Sequence, residues 1–273
     1  LGVVADEKLN LYSLHDGKAT TLAVADSTIR SSAISRDGSY FAIGCDAGVL
    51  RLYTCGCQLI HTEPEWEVNQ GVPLYACTFS PDSQRVAAAS IDGVIRVLSV
   101  EGTGKMLVEL DMNLAGTEAV FRSSLPWEGE LMASVTKEKG VKVWHMTGYT
   151  EVWSFGKQPD GTTLNAWCVA LSPNGSCIAF SPKEMSGSKE RGVLYVRSTA
   201  DWVNRCSKEA DELVLVRTRT RNDTPAIVTS LVFSPSSLLL VSGNDEHEFV
   251  VLCTKTLCPV AKFRVPHSFG FAS

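Results

Sequence analysis

The most reactive side chains in this 273-residue chain are nine cysteines, at positions 45, 55, 57, 77, 168, 177, 206, 253 and 258. Thiolates in spaced pairs can grip zinc, and a thiolate beside a histidine can attack a carbonyl. The spacing favours neither. Cys55-Gly56-Cys57 is the closest pair and has no second pair at zinc spacing, and most of the others sit in apolar, strand-like runs where any small hydrophobe would serve. Free thiols in a reducing, cytosolic setting are therefore expected, with no metal. The five histidines (15, 61, 145, 247 and 267) are scattered, and neither a Gly-x-Ser-x-Gly elbow, a His-Glu-x-x-His pair nor a Gly-rich phosphate loop occurs. Nucleophilic, zinc-hydrolase and nucleotide-binding chemistry each lack their parts, so neither an enzyme nor a cofactor is expected.

The charged residues point the same way. Asp46 and Asp92 follow apolar runs at short turns, where a carboxylate serves local backbone N–H groups. Arg217, Arg219 and Arg221 alternate at strand period and would share one face, either as a patch for an acidic partner or as an edge strand neutralised by Glu209, Asp211, Glu212 and Asp223. A net charge of −5 offers phosphate backbones no general attraction, so no nucleic-acid partner is expected. Hydrophobic content of 44% with 20% charge describes a globular chain. No signal-like segment opens the chain, and no apolar run reaches the ~18 residues a membrane span requires, so no span is expected within it.

What would position these residues is a repeat. An apolar strand followed by a serine-centred turn recurs at Ala33-Ile34-Ser35-Arg36-Asp37-Gly38, Thr78-Phe79-Ser80-Pro81-Asp82-Ser83, Ala170-Leu171-Ser172-Pro173-Asn174-Gly175 and Val232-Phe233-Ser234-Pro235-Ser236-Ser237. Proline presets φ, and Asp, Asn and Gly tolerate the tight conformations of such a turn. Ser35 and Ser80 lie 45 residues apart, Ser80 and Ser172 lie 92 apart (twice 46), and Ser172 and Ser234 lie 62 apart. The doubled gap hides a further copy, from Glu118-Ala119-Val120-Phe121 through a turn at Pro126-Trp127-Glu128-Gly129 to Leu131-Met132-Ala133-Ser134-Val135. The 62-residue gap holds one repeat plus polar insertions at Lys183 to Arg191 and Asn204 to Glu212, which read as surface loops.

Four short strands per period of about 45 residues is the blade of a WD-type β-propeller. The fold class expected is all-β, a single seven-bladed propeller domain over 1–273, with full blades at about 29–63, 73–112, 117–156, 164–220 and 226–265. Residues 1–25 would supply part of an earlier blade and 266–273 the start of the last, their missing strands lying outside this chain. The repeats are eroded: Val143-Trp144 keeps the signature tryptophan, but His145 stands where its aspartate would.

The order of features in the C-terminal part resembles the WD-repeat exchange factors of the endoplasmic reticulum, the prolactin regulatory element-binding protein family, which activate the Sar-type small GTPase and start COPII coat assembly. A loop containing Lys183, Gly187, Ser188 and Arg191 precedes Val193-Leu194-Tyr195-Val196; Val228 to Ser234, Ser242-Gly243-Asn244-Asp245 and Val250-Val251-Leu252 follow; Thr256 to Phe263 leads into Pro266-His267-Ser268-Phe269. The similarity is best over about residues 165–273. At the other end, Gly2-Val3 and Lys8 to Leu14 look like the exit of that family's exchange loop, whose Gly-rich part would lie upstream of Leu1 together with any cation it holds. The resemblance implies a guanine nucleotide exchange factor on the cytosolic face of the endoplasmic reticulum, anchored by a segment outside this chain. It places Gly2, Asp6, His267 and Phe269 at the contact with a small GTPase, with coat or adaptor proteins as further partners. A non-catalytic WD-repeat adaptor remains the alternative.

Overall fold

The structure, a computed structural model, describes residues 2–5, 8–12, 17, 19–23, 28–54, 59–61, 71–101, 105–111, 127–136, 140–156, 166–182, 193–199, 214–217 and 227–264. Among these, regular structure is strand alone, in six antiparallel sheets. The chain divides into two compact units, Leu1–Ser123 with Phe271–Ser273, and Ser124–Gly270.

In the first unit, β1 (Gly2–Ala5), β2 (Lys8–Tyr12) and β3 (Ala19–Ala23) form a three-stranded meander. Two four-stranded meanders follow: β4 (Ile29–Ile34), β5 (Tyr40–Cys45), β6 (Leu50–Thr54) and β7 (Leu59–His61), then β8 (Leu74–Phe79), β9 (Arg85–Ser90), β10 (Val94–Ser99) and β11 (Met106–Asp111). Their second strands are buried on both faces. Phe41 to Cys45 and Val86 to Ser90 are almost wholly covered, and the run Ala87-Ala88-Ala89 is small because a neighbour packs on each side. Phe41 stacks on Tyr53 with ring centroids 4.8 Å apart.

The second unit holds three four-stranded meanders: β12 (Trp127–Glu128), β13 (Leu131–Thr136), β14 (Gly140–His145) and β15 (Thr150–Phe155); β16 (Ala166–Leu171), β17 (Cys177–Pro182), β18 (Val193–Ser198) and β19 (Val214–Arg217); β20 (Val228–Phe233), β21 (Leu239–Asn244), β22 (Glu248–Cys253) and β23 (Pro259–Arg264). Its core joins Val135, Val141 and Val143 to Val169, Ile178 and Phe180, with Phe155, Phe180 and Tyr195 clustered within 6.2 Å of one another. The signature tryptophan is structural: buried Trp144 donates through Nε1 to the Ser134 hydroxyl at 3.1 Å. His145, in the place of the aspartate, lies 3.2 Å from Glu130.

All-β content in repeated antiparallel meanders agrees with WD-type propeller repeats. One local expectation needs correction. Trp127 and Glu128, read from the sequence as turn, pair with Met132 and Leu131, because Gly129 takes φ +56° and closes the hairpin immediately beyond them. The strand expected at Glu118 to Phe121, the inserted loops, and the blade start expected at 266–273 lie outside the described residues.

The serine-centred turns repeat atom by atom. Each serine hydroxyl accepts from the backbone N–H five residues on: Tyr40 to Ser35 at 2.8 Å, Arg85 to Ser80 at 2.9 Å, Cys177 to Ser172 at 2.8 Å and Leu239 to Ser234 at 3.0 Å. The same hydroxyl donates to the acceptor two residues on, Asp37, Asp82 or Asn174, while Ser236 stands there in the fourth turn. Hydrogen bonds from Ser35 and from the Ser39 N–H hold Asp37 far below the usual carboxylate range. Burial opposes ionisation of Asp82, but bonds from Ser80 and the Gln84 N–H, with Arg85 beside it, bring it below that range as well.

The third residue after each serine has φ between +60° and +73°, and it is Gly38, Ser83, Gly175 and Ser237 in turn. The two serines accept strain that glycine avoids. In return the Ser83 hydroxyl takes the Asp37 N–H at 3.3 Å, and Ser237 takes the Asn174 N–H at 3.1 Å. Each therefore ties its turn to the turn of the preceding sheet in the same unit.

Ser83→Ala keeps the strain and loses the tie, so it should lower the urea-unfolding free energy by about 1–2 kcal/mol, whereas Ser83→Gly should stay within about 0.5 kcal/mol of the parent. An alanine variant as stable as the parent would remove the role given to the hydroxyl. A second expectation concerns acid. Because the folded state depresses Asp82, its contribution is present above the unfolded carboxylate value of about 3.9 and fades as pH falls through the lower folded value. Asp82→Asn should thus flatten the loss of stability below about pH 4, measured by unfolding at a series of pH values.

Candidate functional site

Four first strands share a register shift against their second strands, between Ile29 and Ser31, Leu74 and Ala76, Ala166 and Cys168, and Val228 and Ser230. Each shift is a bulge with one extra residue: Arg30 and Tyr75 in the first unit, Trp167 and Thr229 in the second. A bulge breaks the in-out alternation of a strand and re-aims the extra side chain. Each extra residue sits five positions before its turn serine, so the repeat delivers them to equivalent places in their sheets.

In the first unit the exposed Arg30 guanidinium makes a bidentate pair with Asp46 on the β5–β6 turn, Nε to Oδ1 at 2.6 Å and Nη2 to Oδ2 at 2.8 Å. It also lies 5.9 Å from the ring centre of half-buried Tyr75, so positive charge meets an aromatic face. The bond to Asp46 is the main reason the Arg30 proton is held more tightly than usual. The Asp46 N–H donates to the Thr28 carbonyl at 3.0 Å, locking the turn to its strand. Asp46 is thereby a correction: the sequence assigned its carboxylate to local backbone, and Arg30, re-aimed by the bulge, takes it instead. Asp92 does serve its own turn, accepting the Val94 N–H at 3.1 Å. The Ser31 hydroxyl reaches the Leu74 carbonyl at 3.0 Å, and a Cβ on Gly44 would strike both the Ser31 hydroxyl and Leu74. Glycine is what allows the two sheets to approach there.

The second unit repeats the plan with other side chains. Trp167 is half-buried, and Thr229 donates to the Gly243 carbonyl at 3.4 Å. The Asp245 carboxylate accepts the Ile227 N–H at 2.9 Å, while its own N–H donates to the Ile227 carbonyl at 3.1 Å. A Cβ on Gly243 would meet the Ser230 hydroxyl at 2.6 Å.

An exposed cation beside an aromatic ring, and a partly exposed indole, present binding groups on a stiff frame. They contain no nucleophile paired with a base. The buried thiols are poor nucleophiles too, since burial pushes both Cys77 and Cys168 up to about 12. Among the described residues no three His, Cys, Asp or Glu side chains come together as a metal site, and no helix is long and apolar enough to cross a membrane. Of the contact residues implied by the family resemblance, Gly2 lies in β1 opposite Leu11; Asp6, His267 and Phe269 lie outside the described residues, as do Arg219 and Arg221. Sequence reasoning passed over Arg30, Tyr75, Trp167 and Thr229. The available signal was their fixed distance from the turn serine.

Residues 62–99 match the family model of the WD domain, G-beta repeat. Over 187 residues, 68% of this chain, the sequence is 20% identical to the WD repeat-containing protein 91 homolog of Dictyostelium discoideum. That stretch is 21% of the relative, so the chain spans about a fifth of its length. A WD repeat is present, and WD repeats are in general non-catalytic protein-interaction scaffolds.

Exposed ion pairs contribute little to stability, typically about 0–1 kcal/mol. Arg30→Ala, which removes the Asp46 pair, should therefore keep the strand circular dichroism and lower the unfolding free energy by no more than about 1 kcal/mol. A larger loss in chemical denaturation would make Arg30 part of the frame rather than of a binding surface.

Proposed function

We propose that this chain is a protein-interaction scaffold that carries its partner-binding groups at the first-strand bulges, Arg30 with Tyr75 in one unit and Trp167 with Thr229 in the other. The observation that carries this reading is the recurrence of one bulge in four sheets, each aiming a different side chain out of the strand alternation. A repeat that keeps its turns uniform while varying the re-aimed residue has a fixed frame and a variable reading surface. Arg, Tyr and Trp are also the side chains that most often carry interface energy. Binding on a stiff frame orders little of the frame itself, so less of the contact energy is spent on ordering. This function calls for no cofactor and no nucleic acid.

A narrower form makes the partner a Sar-type small GTPase and the chain part of its exchange factor, on the cytosolic face of the endoplasmic reticulum. It is supported by the order of features from Lys183 to Phe269. An exchange factor needs no bond-making group. It stabilises a GTPase conformation that holds nucleotide poorly, a differential affinity between two states. In this form Gly2, Asp6, His267 and Phe269 would join the contact.

Tagged wild-type protein and an Arg30→Ala/Tyr75→Ala/Trp167→Ala variant, matched for folding by circular dichroism, should capture different partner sets from a cell extract, with the wild-type set depleted on the variant. Identical sets would remove the bulges from the function. For the narrower form, the full-length protein should accelerate release of a fluorescent nucleotide from a purified Sar-type GTPase, and Asp6→Arg should slow that release. Unchanged release at saturating protein leaves the scaffold without exchange activity.

A further inference from the structure

We propose that Cys253 and Cys258 form a reversible dithiol–disulfide couple across the β22–β23 hairpin, an oxidation site separate from the bulge residues. β22 ends at Cys253 and β23 begins at Pro259, with Leu252 paired to Pro259. One step nearer the turn, the Cys253 N–H donates to the Cys258 carbonyl at 3.0 Å, and the Leu257 N–H donates to the Cys253 carbonyl at 2.8 Å. Leu257, at φ +54°, makes the sharp return that brings Cys258 opposite Cys253. The Cys253 to Cys258 bond, one step beyond the Leu252–Pro259 pair, sets the two residues side by side across the hairpin; a disulfide bridges Cα atoms about 4.4–6.8 Å apart.

Both sulfurs engage the same turn residue. The Cys258 thiol contacts the Thr256 carbonyl at 3.5 Å. The Thr256 hydroxyl foremost, then the Thr256 and Lys255 backbone N–H groups and the Lys255 charge, hold the Cys253 thiol below its ordinary value. Cys258 is exposed and Cys253 half-buried, whereas Cys45 and Cys168 are closed off within sheets. Among the described residues, this hairpin therefore joins an activated thiol to an accessible one.

The oxidant is a low-molecular-weight disulfide such as oxidised glutathione. The Cys253 thiolate attacks one of its sulfurs, breaks the S–S bond and expels a glutathione thiolate, leaving a mixed disulfide. The Cys258 thiolate then attacks Cys253 Sγ, expels the second glutathione thiolate and closes the hairpin disulfide. The two protons released by the cysteines go to the two departing thiolates, so two electrons pass from protein to glutathione.

Lys255 lies between the two cysteines, so trypsin separates them into peptides 222–255 and 256–262. The full chain would be treated with oxidised glutathione, its remaining thiols alkylated in denaturant, and the unreduced digest analysed by mass spectrometry. The wild type should give the two peptides linked through their cysteines, a species lost on adding reductant. Cys258→Ser should retain a glutathione adduct on Cys253, and Cys253→Ser should react at Cys258 about tenfold more slowly, since the activated attacking thiol is gone. Circular dichroism would show that each variant keeps the fold. Stable glutathione adducts on the wild type without the linked peptides, or no modification in excess oxidant, would overturn the couple.

Discussion

The bond from a backbone N–H to a serine hydroxyl five residues earlier is the interaction on which the rest of the structure depends. It is made by Tyr40 to Ser35, Arg85 to Ser80, Cys177 to Ser172 and Leu239 to Ser234, and it sets where the second strand of those four sheets begins. Strand side chains alternate with period two, so a slip of one residue would turn every side chain of the second strand to the opposite face. In β9 such a slip would carry Arg85 into the space now filled by Val86 and the alanines behind it. The turn is small, but it decides which residues become core.

The second strands set the next condition. Covered on both faces, they must be narrow where neighbours come closest, which is why Ala87-Ala88-Ala89 is wholly buried and why Gly44 and Gly243 face the serines of adjacent first strands. Larger side chains collect where there is room, as in the Phe155, Phe180 and Tyr195 cluster. The first strands bulge opposite these narrow places. Packing density and the aim of Arg30, Tyr75, Trp167 and Thr229 are thus one arrangement: the strand shifts register where the approach is close and takes the displaced residue out of the strand alternation, leaving Arg30 exposed and the other three half-buried.

On the proposed reading, this arrangement separates stability from recognition. The serines, the buried aliphatics and the Trp144–Ser134 bond hold the frame, and none of them is free to vary without loss of packing. The bulge residues carry little of the core, so charge, aromatic or hydroxyl can stand there at low cost. The β22–β23 hairpin is similarly peripheral, with every residue of β23 exposed, and can tolerate a covalent change that a central strand could not.

What the sequence alone determined was whatever depends on residues near one another in the chain. The turn chemistry of Ser35 to Gly38 and its three copies, the period near 45 residues, the all-β class and the WD-type repeat follow from local patterns. Tertiary structure decided what depends on partners far along the chain. Arg30 meets Asp46 only because β4 shifts register against β5, Ser83 reaches the Asp37 N–H from 46 residues away, and Trp127 becomes strand only by pairing with Met132. Likewise, Cys253 faces Cys258 because Leu257 takes a left-handed conformation that its own side chain disfavours. Alternation of polar and apolar residues records which face a strand buries, but carries no mark of where two strands lose step, since that is settled by hydrogen bonding and close packing between segments the chain brings together only on folding.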